Sequence, residues 1–541
     1  MTANLRTLDV DKATKISDVL SSFQSSDQDL LLVDVNTVIT KPHLELLTDY
    51  PRTVTTALVS KLKGGETRVS QGRITGASSG YHEVGYGNHK FLGIIRLSQS
   101  QKTEIVEALS KVKDTNYSGN TIDLILVALV RAALVVAPAE VAGAPFIRSE
   151  DLAERQKIEK QIAGLNDARL RLKLANRAND GFYSVFFLRK ISKLFTWLAV
   201  RLKMTPNQVT LISFAIGLLS AYEFSKGTFW TIFAGAVLLQ LSIIIDCVDG
   251  ELARYTRAFS QLGAWLDAIT DRIKEYLVFF ALAYGAAKNG RELWIPAMGM
   301  MLFQTFRHLS DYNFARINKI RSSQLAPLDF DLKNDGYIAV EREKKTRLEY
   351  WSKKALQFPI GERWLVISAS SVIGGAAFTF TIMPILSLIS IALVFRGRTR
   401  KTLTWPKDRV NKNLIDDQLD SIKNKNSTNR FDWLEPSLLR LLEGAIFIEI
   451  AYVTNLNRSV IFLILFAILF NHYDNMYRAL QSERKPLWLS IAGGFIFGRL
   501  LIVVLWIWLG WSLTILVYYF GLLFFIISSI QWVSSRKASV E

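Results

Sequence analysis

One cysteine, Cys247, stands in 541 residues. That scarcity excludes an intramolecular disulfide and any zinc site built on cysteine, and leaves Cys247 as a small apolar filler. The opening residues MTANLRTLDVDKATK have no apolar core behind a basic start, so no secretory signal peptide is expected and the N-terminal part is expected in the cytoplasm. There is no tandem repeat, no low-complexity tract beyond one linker, and no glycine-rich loop followed by lysine near the N-terminus. Charged residues are only 21% of the chain against 50% hydrophobic and 11% aromatic, which is too apolar for a soluble protein and points to a polytopic membrane protein with a soluble part. The net charge of +17 does not imply a nucleic-acid partner. Its basic residues cluster beside apolar spans, in KISKLFTWLAVRLK, EREKKTRLEYWSKK and RGRTRKTLTWPKDR, as cytoplasmic flanks facing anionic membrane lipids do.

Along the chain, residues from about 28 to 147 alternate short apolar runs with polar turns, which predicts a small α/β domain over 1–150. LVALVRAALVVA within it is short and flanked by Asp123 and interrupted by Arg131, so a buried helix and strand are expected rather than a span. Residues 151–204 read as a charged surface helix or linker and then an interfacial amphipathic helix that mixes aromatic and basic side chains. Six spans are expected in 205–400, near 208–225, 228–247, 265–287, 292–312, 364–380 and 382–396, with Pro206 at the start of the first. A basic polar linker at 401–430 precedes a membrane domain over 431–541, with about four more spans near 435–454, 459–474, 487–508 and 512–532. The fold class is therefore mainly α: a polytopic helical membrane protein with a small N-terminal α/β cytoplasmic domain. Lysine and arginine enrichment in alternate loops places both chain ends and the 315–362 and 397–430 loops in the cytoplasm, with the plasma membrane as the expected site.

The most informative segment is DCVDGELARYTRAFSQLGAWLDAITD, residues 246–271. Asp246 and Asp249 stand three apart and Asp267 and Asp271 four apart, so each pair projects from one face of its own helix. Two such faces meeting make a four-carboxylate cup. Near hydrocarbon that cup must protonate or recruit cations, and all-oxygen donors favour Mg²⁺, Mn²⁺ or Ca²⁺ and a phosphate-bearing substrate. Arg254 offers a fixed fork for a phosphate oxygen, while Gly250 and Ala253 remove bulk where a ligand approaches the backbone.

These residues are identified as the signature of the CDP-alcohol phosphotransferase (CDP-alcohol phosphatidyltransferase) family, D-x2-D-G-x2-A-R-x8-G-x3-D-x3-D. Asp246, Asp249, Gly250, Ala253, Arg254, Gly263, Asp267 and Asp271 fit every fixed position. The resemblance covers roughly residues 180–396, including TPNQVTLISF at the first span and DGFYSVFFLRKIS before it. It implies transfer of a phosphoalcohol from a CDP-linked donor to an acceptor hydroxyl with release of CMP, in phospholipid or phospho-polyol biosynthesis. It further implies two ions, Mg²⁺ or Mn²⁺, among Asp246, Asp249, Asp267 and Asp271, with Asp271 as base, and a CDP pocket shaped by Gly250, Ala253, Arg254, Ser260 and Gly263. Asn207 and Thr210 are candidates for the pocket wall and equally for helix capping.

The N-terminal domain resembles the nucleotidyltransferase-like domains fused to some members. Asp34 and Asn36 stand where such an enzyme holds metal, so a degenerate, non-catalytic domain is expected. That fusion points to a phosphorylated polyol, inositol phosphate above all, as acceptor, with CDP-diacylglycerol or a soluble CDP-polyol as donor. Arg189, Arg307, Arg316 and Arg363 are candidates for an acceptor phosphate or for lipid headgroups, and His308 and Asp311 lie beside Arg307. Glu443, His472, Asp474 and Arg478 in the C-terminal domain are expected as snorkelling side chains at a helix end rather than a polar site. Homodimers occur among family members, and nothing in this sequence itself requires one. The competing readings are a cation-coupled transporter, which leaves the glycine-alanine-arginine spacing unexplained, and a non-catalytic membrane scaffold, against which the complete aspartate set argues.

Overall fold

The computed structural model describes residues 6–48, 54–70, 73–78, 87–115, 117–132, 134–175, 181–323, 347–403, 431–454, 456–480 and 485–538. Residues 324–346 of the expected cytoplasmic loop and 404–430 of the expected linker lie outside them. Two units are present, one built on residues 6–175 with 254–259, the other on 181–253, 260–321 and 347–538.

The first unit is α/β. Strands Arg6–Val10, Leu30–Asp34, His89–Leu97, Thr56–Lys61 and Ala137–Glu140 lie side by side in that order. The two outer pairs are parallel and the inner pairs antiparallel. Parallel neighbours need a crossover, and helix Ile16–Gln24 connects the first pair, burying Val19 and Phe23. The run LVALVRAALVVA is part of helix Thr121–Arg131 and of the approach to strand Ala137–Glu140, with Ile125 and Leu129 fully buried, as its flanking charges indicated. Asp34, the expected metal position, is engaged within the domain. Its Oδ2 accepts from Arg148 Nε at 2.6 Å and Asn120 Nδ2 at 2.8 Å, its Oδ1 accepts from the Asn36 backbone N–H at 2.9 Å, and Arg148 also forks onto Asp123 at 2.7 and 3.0 Å.

The second unit is helical. Helix α1 (Arg189–Arg201) follows a π-helical turn, Ser184–Leu188, and its faces are inverted relative to a soluble helix. Phe187, Ile191, Leu194, Leu198 and Leu202 form an exposed apolar stripe at helical spacing, while Arg189, Ser192 and Thr196 are buried. A helix lying in a membrane surface has this polarity. Its buried face is latched by Glu251, which accepts from Arg189 Nη1 at 2.8 Å, Ser192 Oγ at 2.8 Å and Thr196 Oγ1 at 2.6 Å.

Helices α2 (Pro206–Lys226), α3 (Phe229–Thr256), α4 (Gln261–Lys288) and α5 (Trp294–Ser323) follow, covering the first four expected spans. The next, α6 (Ile360–Leu403), is two arms meeting at Gly375, where φ is 70°. Ser370 and Thr379 hydroxyls lie 3.0 Å apart across that bend, and Ser390 Oγ donates to Gln357 O at 2.9 Å, so the arms run antiparallel. The reversal therefore falls at Gly375, not near residue 381 as the apolar pattern suggested, because its φ of 70° and ψ of −169° are essentially open to glycine alone. Beyond the linker come α7 (Glu435–Val453), α8 (Arg458–Leu480), α9 (Phe495–Trp508), α10 (Thr514–Gly521) and α11 (Ser528–Ala538). The expected single span 487–508 is broken before α9, where Gly494 has φ of 74°.

Among the described residues, five helices are long and apolar enough to cross a membrane. The chain is thus a multi-pass membrane protein. Neither α4 nor α5 is among the five. The first buries Arg272, Lys274 and Glu275 and the second Arg307, charges that lower hydropathy without facing lipid.

Candidate active site

Two local signals aim the site's helices. Thr205 Oγ1 accepts from the Gln208 backbone N–H at 3.3 Å and Gln208 Oε1 accepts from the Thr205 N–H at 2.9 Å, a reciprocal cap that starts α2 with Pro206 in its first turn. Ser260 Oγ likewise accepts from the Gly263 N–H at 2.9 Å and starts α4. A methyl group at Gly263 would stand 2.8 Å from both Asn207 Oδ1 and Ser260 Oγ, so the motif glycine keeps this junction open.

With α2, α3 and α4 so placed, one carboxylate oxygen each from Asp246, Asp267 and Asp271 lies within 4.8 Å of the others. Asp249 stands outside that trio, its Oδ2 accepting from Thr210 Oγ1 at 2.6 Å. Thr210 therefore reaches the motif, and Asn207 lies beside Gly263. Gly250 and Ala253 occupy the next turn of α3. Arg254 groups with the α/β unit, where its Nε donates to Ala175 O.

The cluster's counter-charge is a residue the motif does not contain. Lys274, fully buried, places Nζ 2.7 Å from Asp246 Oδ1 and 3.0 Å from Asp271 Oδ1, and donates to Ser213 Oγ at 2.9 Å. Ser213 Oγ also lies 3.0 Å from Asp246 Oδ1. Room for the lysine stem comes from Gly217, where a methyl would meet Lys274 Cδ at 2.6 Å. Carboxylates converging on an ammonium form a cation-seeking pocket, and an all-oxygen donor set of this kind suits hard divalent ions. The three gathered aspartates and Asp249 are the residues that would hold them.

The remaining basic candidates are engaged elsewhere. Arg363 donates Nε and Nη2 to Glu275 at 2.9 and 3.2 Å, and Arg272 Nη1 reaches the same carboxylate at 2.7 Å. Arg307 donates to the carbonyls of Phe358 and Gln357, Arg189 to Glu251, and Asp311 pairs with Arg398. The Arg316 side chain lies outside the described residues. The snorkelling expectation for the C-terminal domain is corrected. Glu443 is buried, forked by Arg499 at 2.8 and 3.2 Å and paired with His472 Nε2 at 2.9 Å. Asp474 and Arg478 are buried together, with Arg478 Nε 3.1 Å from Asp474 Oδ2. These helix faces turn into the bundle, so the charges find partners there rather than at the lipid headgroups.

Sequence reasoning passed over Lys274, Ser213, Glu251, Arg272 and Glu275. The available signal was charge inside an apolar span, in DRIKEY, which calls for a named partner.

A family model described as CDP-alcohol phosphatidyltransferase matches residues 203–330. The "Bifunctional IPC transferase and DIPP synthase" of Thermococcus kodakarensis is 40% identical over 105 residues, 19% of this chain and 23% of that protein. The "Archaetidylinositol phosphate synthase" of Pyrococcus horikoshii is 40% identical over 84 residues, 16% of this chain and 43% of its own length. A "Phosphatidylinositol phosphate synthase" of Mycolicibacterium smegmatis is 34% identical over 99 residues, 18% and 43% of the two chains. The matches thus span less than two thirds of each of these relatives.

Proposed function

We propose, from the premise that residues 203–330 are a CDP-alcohol phosphatidyltransferase domain, that this chain moves a phosphoalcohol from a CDP-linked donor to the hydroxyl of a phosphorylated polyol, releasing CMP. The observation that carries the reading is the convergence of Asp246, Asp267 and Asp271 from two helices at the motif's own positions. The relatives named archaetidylinositol phosphate synthase and phosphatidylinositol phosphate synthase support inositol phosphate as acceptor, and CDP-diacylglycerol or a CDP-polyol is the donor in this reading. The site is assigned to the cytoplasmic face of the plasma membrane on the distribution of basic loops.

In this reading the acceptor oxygen attacks the phosphorus that bears the donor alcohol, the bond from that phosphorus to the bridging oxygen breaks, and CMP departs with the electron pair. Asp271 takes the acceptor proton and returns it to water. Divalent ions, Mg²⁺ or Mn²⁺ and two in number by family resemblance, would supply neutralisation of the donor diphosphate and of the leaving phosphate. Asp246, Asp249, Asp267 and Asp271 would hold them. Thr210 fixes Asp249, and Asn207, Gly250, Ala253, Ser260 and Gly263 shape the nucleotide pocket. Arg307 and Arg363 hold the start of α6 against α4 and α5 in this arrangement.

The test is CMP release by purified protein in nanodiscs, with Mg²⁺, Mn²⁺ or chelator, across CDP-linked donors and polyol phosphates, beside Asp271→Asn. Release needing metal and one donor-acceptor pair, and reduced about 10²–10⁴-fold in the variant, is expected for loss of a general base. Release that survives Asp271→Asn unchanged would overturn the assignment.

A further inference from the structure

Helix α4 has two working faces. Asp267, Asp271 and Lys274 follow each other at intervals of four and three and form the face of the carboxylate cluster. Trp265, Arg272 and Tyr276, at intervals of seven and four, form the opposite one. That second face meets α8 and α11, which lie beyond the matched region, and also α5 within it, where the Tyr276 hydroxyl shares a hydrogen bond with Thr305 Oγ1 at 2.6 Å.

Trp265, two residues before Asp267, is 6% exposed and donates Nε1 to Asp474 Oδ1 at 3.2 Å while its ring stacks on Trp532 at 4.8 Å. Asp474 is itself held, by Arg478 at 3.1 Å, Lys485 at 3.2 Å and Ser528 Oγ at 2.6 Å. Arg478 in turn is fixed by Gln531 Oε1 at 2.7 Å and Ser528 O at 2.6 Å. Just past Asp271, the Tyr473 ring lies 5.8 Å from the Arg272 guanidinium and 6.3 Å from the Tyr276 ring. Its hydroxyl is hydrogen-bonded to His308 Nδ1, toward which Arg272 Nη1 also points at 3.4 Å.

We propose that Asp474 and Tyr473 are positioning residues for the transfer reaction, fixing through Trp265 and through His308 with Arg272 the rotation and height of α4, and hence the placement of Asp267 and Asp271 against Asp246. The inference rests on the reading of the aspartate cluster given above. Its physical basis is that a helix in an apolar surround has little hydrophobic resistance to rotating or sliding, so polar contacts, those on the far face together with those of Lys274 and Glu275, are what hold it in register. Two of them bracket the carboxylates, one at each end. The C-terminal helices then help to position the catalytic helix, since the acceptor of the Trp265 N–H, Asp474, lies outside the matched region.

The test uses the full-length protein in nanodiscs with Trp265→Phe and Tyr473→Phe. The first keeps an aromatic ring on Trp532 and removes only the N–H; the second removes one hydroxyl. Mn²⁺ affinity is read by electron paramagnetic resonance, apart from turnover, and kcat and donor KM are then measured. By analogy with outer contacts around metal ligands, each variant is expected to weaken Mn²⁺ binding and lower kcat by about 3–10-fold, with donor KM and thermal midpoint close to the parent's. Mn²⁺ affinity and kcat within about twofold of the parent in both variants would overturn the positioning role while leaving the aspartate reading intact, since an intact second sphere is what sets such values. A parent protein that binds no Mn²⁺ at all overturns the aspartate reading and this inference with it.

Discussion

At the scale of single residues, the cluster is partly neutralised by one side chain. Lys274 touches Asp246 and Asp271 from a position with no solvent exposure, and Gly217 opposite it leaves the space for its stem. Removing one partner of a buried ion pair strands the other, at a cost of about 3–5 kcal/mol. Lys274→Met is therefore expected to lower the thermal midpoint of metal-free protein by several degrees. Added Mg²⁺ or Mn²⁺ would restore part of it, because a divalent ion replaces the missing positive charge. Thermal unfolding with and without chelator checks this. A loss of equal size with and without metal would mean that the lysine only fills space.

At the scale of elements, α3 does two jobs from neighbouring turns. Asp246 and Asp249 face α2 and α4, while Glu251 reaches the interfacial helix α1 and collects Arg189, Ser192 and Thr196. Glu251→Gln keeps the shape but discharges the acceptor, leaving Arg189 buried without its ion pair. A cost of about 2–4 kcal/mol is expected, with faster proteolysis near α1 before global unfolding. Limited proteolysis compared with the parent measures it, and unchanged cleavage there would count against the latch. Much of this level was legible in sequence. The spans are long apolar runs, α1 shows its aromatic-basic mixture, and the aspartate spacing names the two helices that carry the site. The reversal at Gly375 and the break at Gly494 were not legible from hydropathy, which is blind to φ. Nor were the partners of buried charges. Arg148 closes Asp34 from 114 residues away, and Arg499 meets Glu443 across 56, separations that no local pattern encodes.

At the scale of the whole molecule, the C-terminal helices raise the question of whether they are an appendage or a wall. Helix α8 places Phe462 5.5 Å from Phe280 and 6.0 Å from Trp294, and Phe466 5.7 Å from Tyr276, so it lies along the outer face of α4 and the start of α5. If lipid replaced it, those apolar rings would lose little, because acyl chains are as apolar as phenylalanine. The polar groups between them are different. The Trp265 N–H would lose its acceptor, His308 its tyrosine hydroxyl, and Arg272 the aromatic ring beside it. Each such group costs on the order of several kcal/mol when turned toward hydrocarbon without a partner. Removal of residues 404–541 is accordingly expected to abolish monodisperse protein in detergent, as judged by size-exclusion chromatography, rather than to yield a smaller active core. Supplying residues 431–541 as a separate polypeptide in the same membrane should recover part of the folded material if the two halves recognise each other through these polar contacts. A truncated chain that stays monodisperse and releases CMP at the parent's rate would make the C-terminal helices an appendage and leave α4 self-supporting.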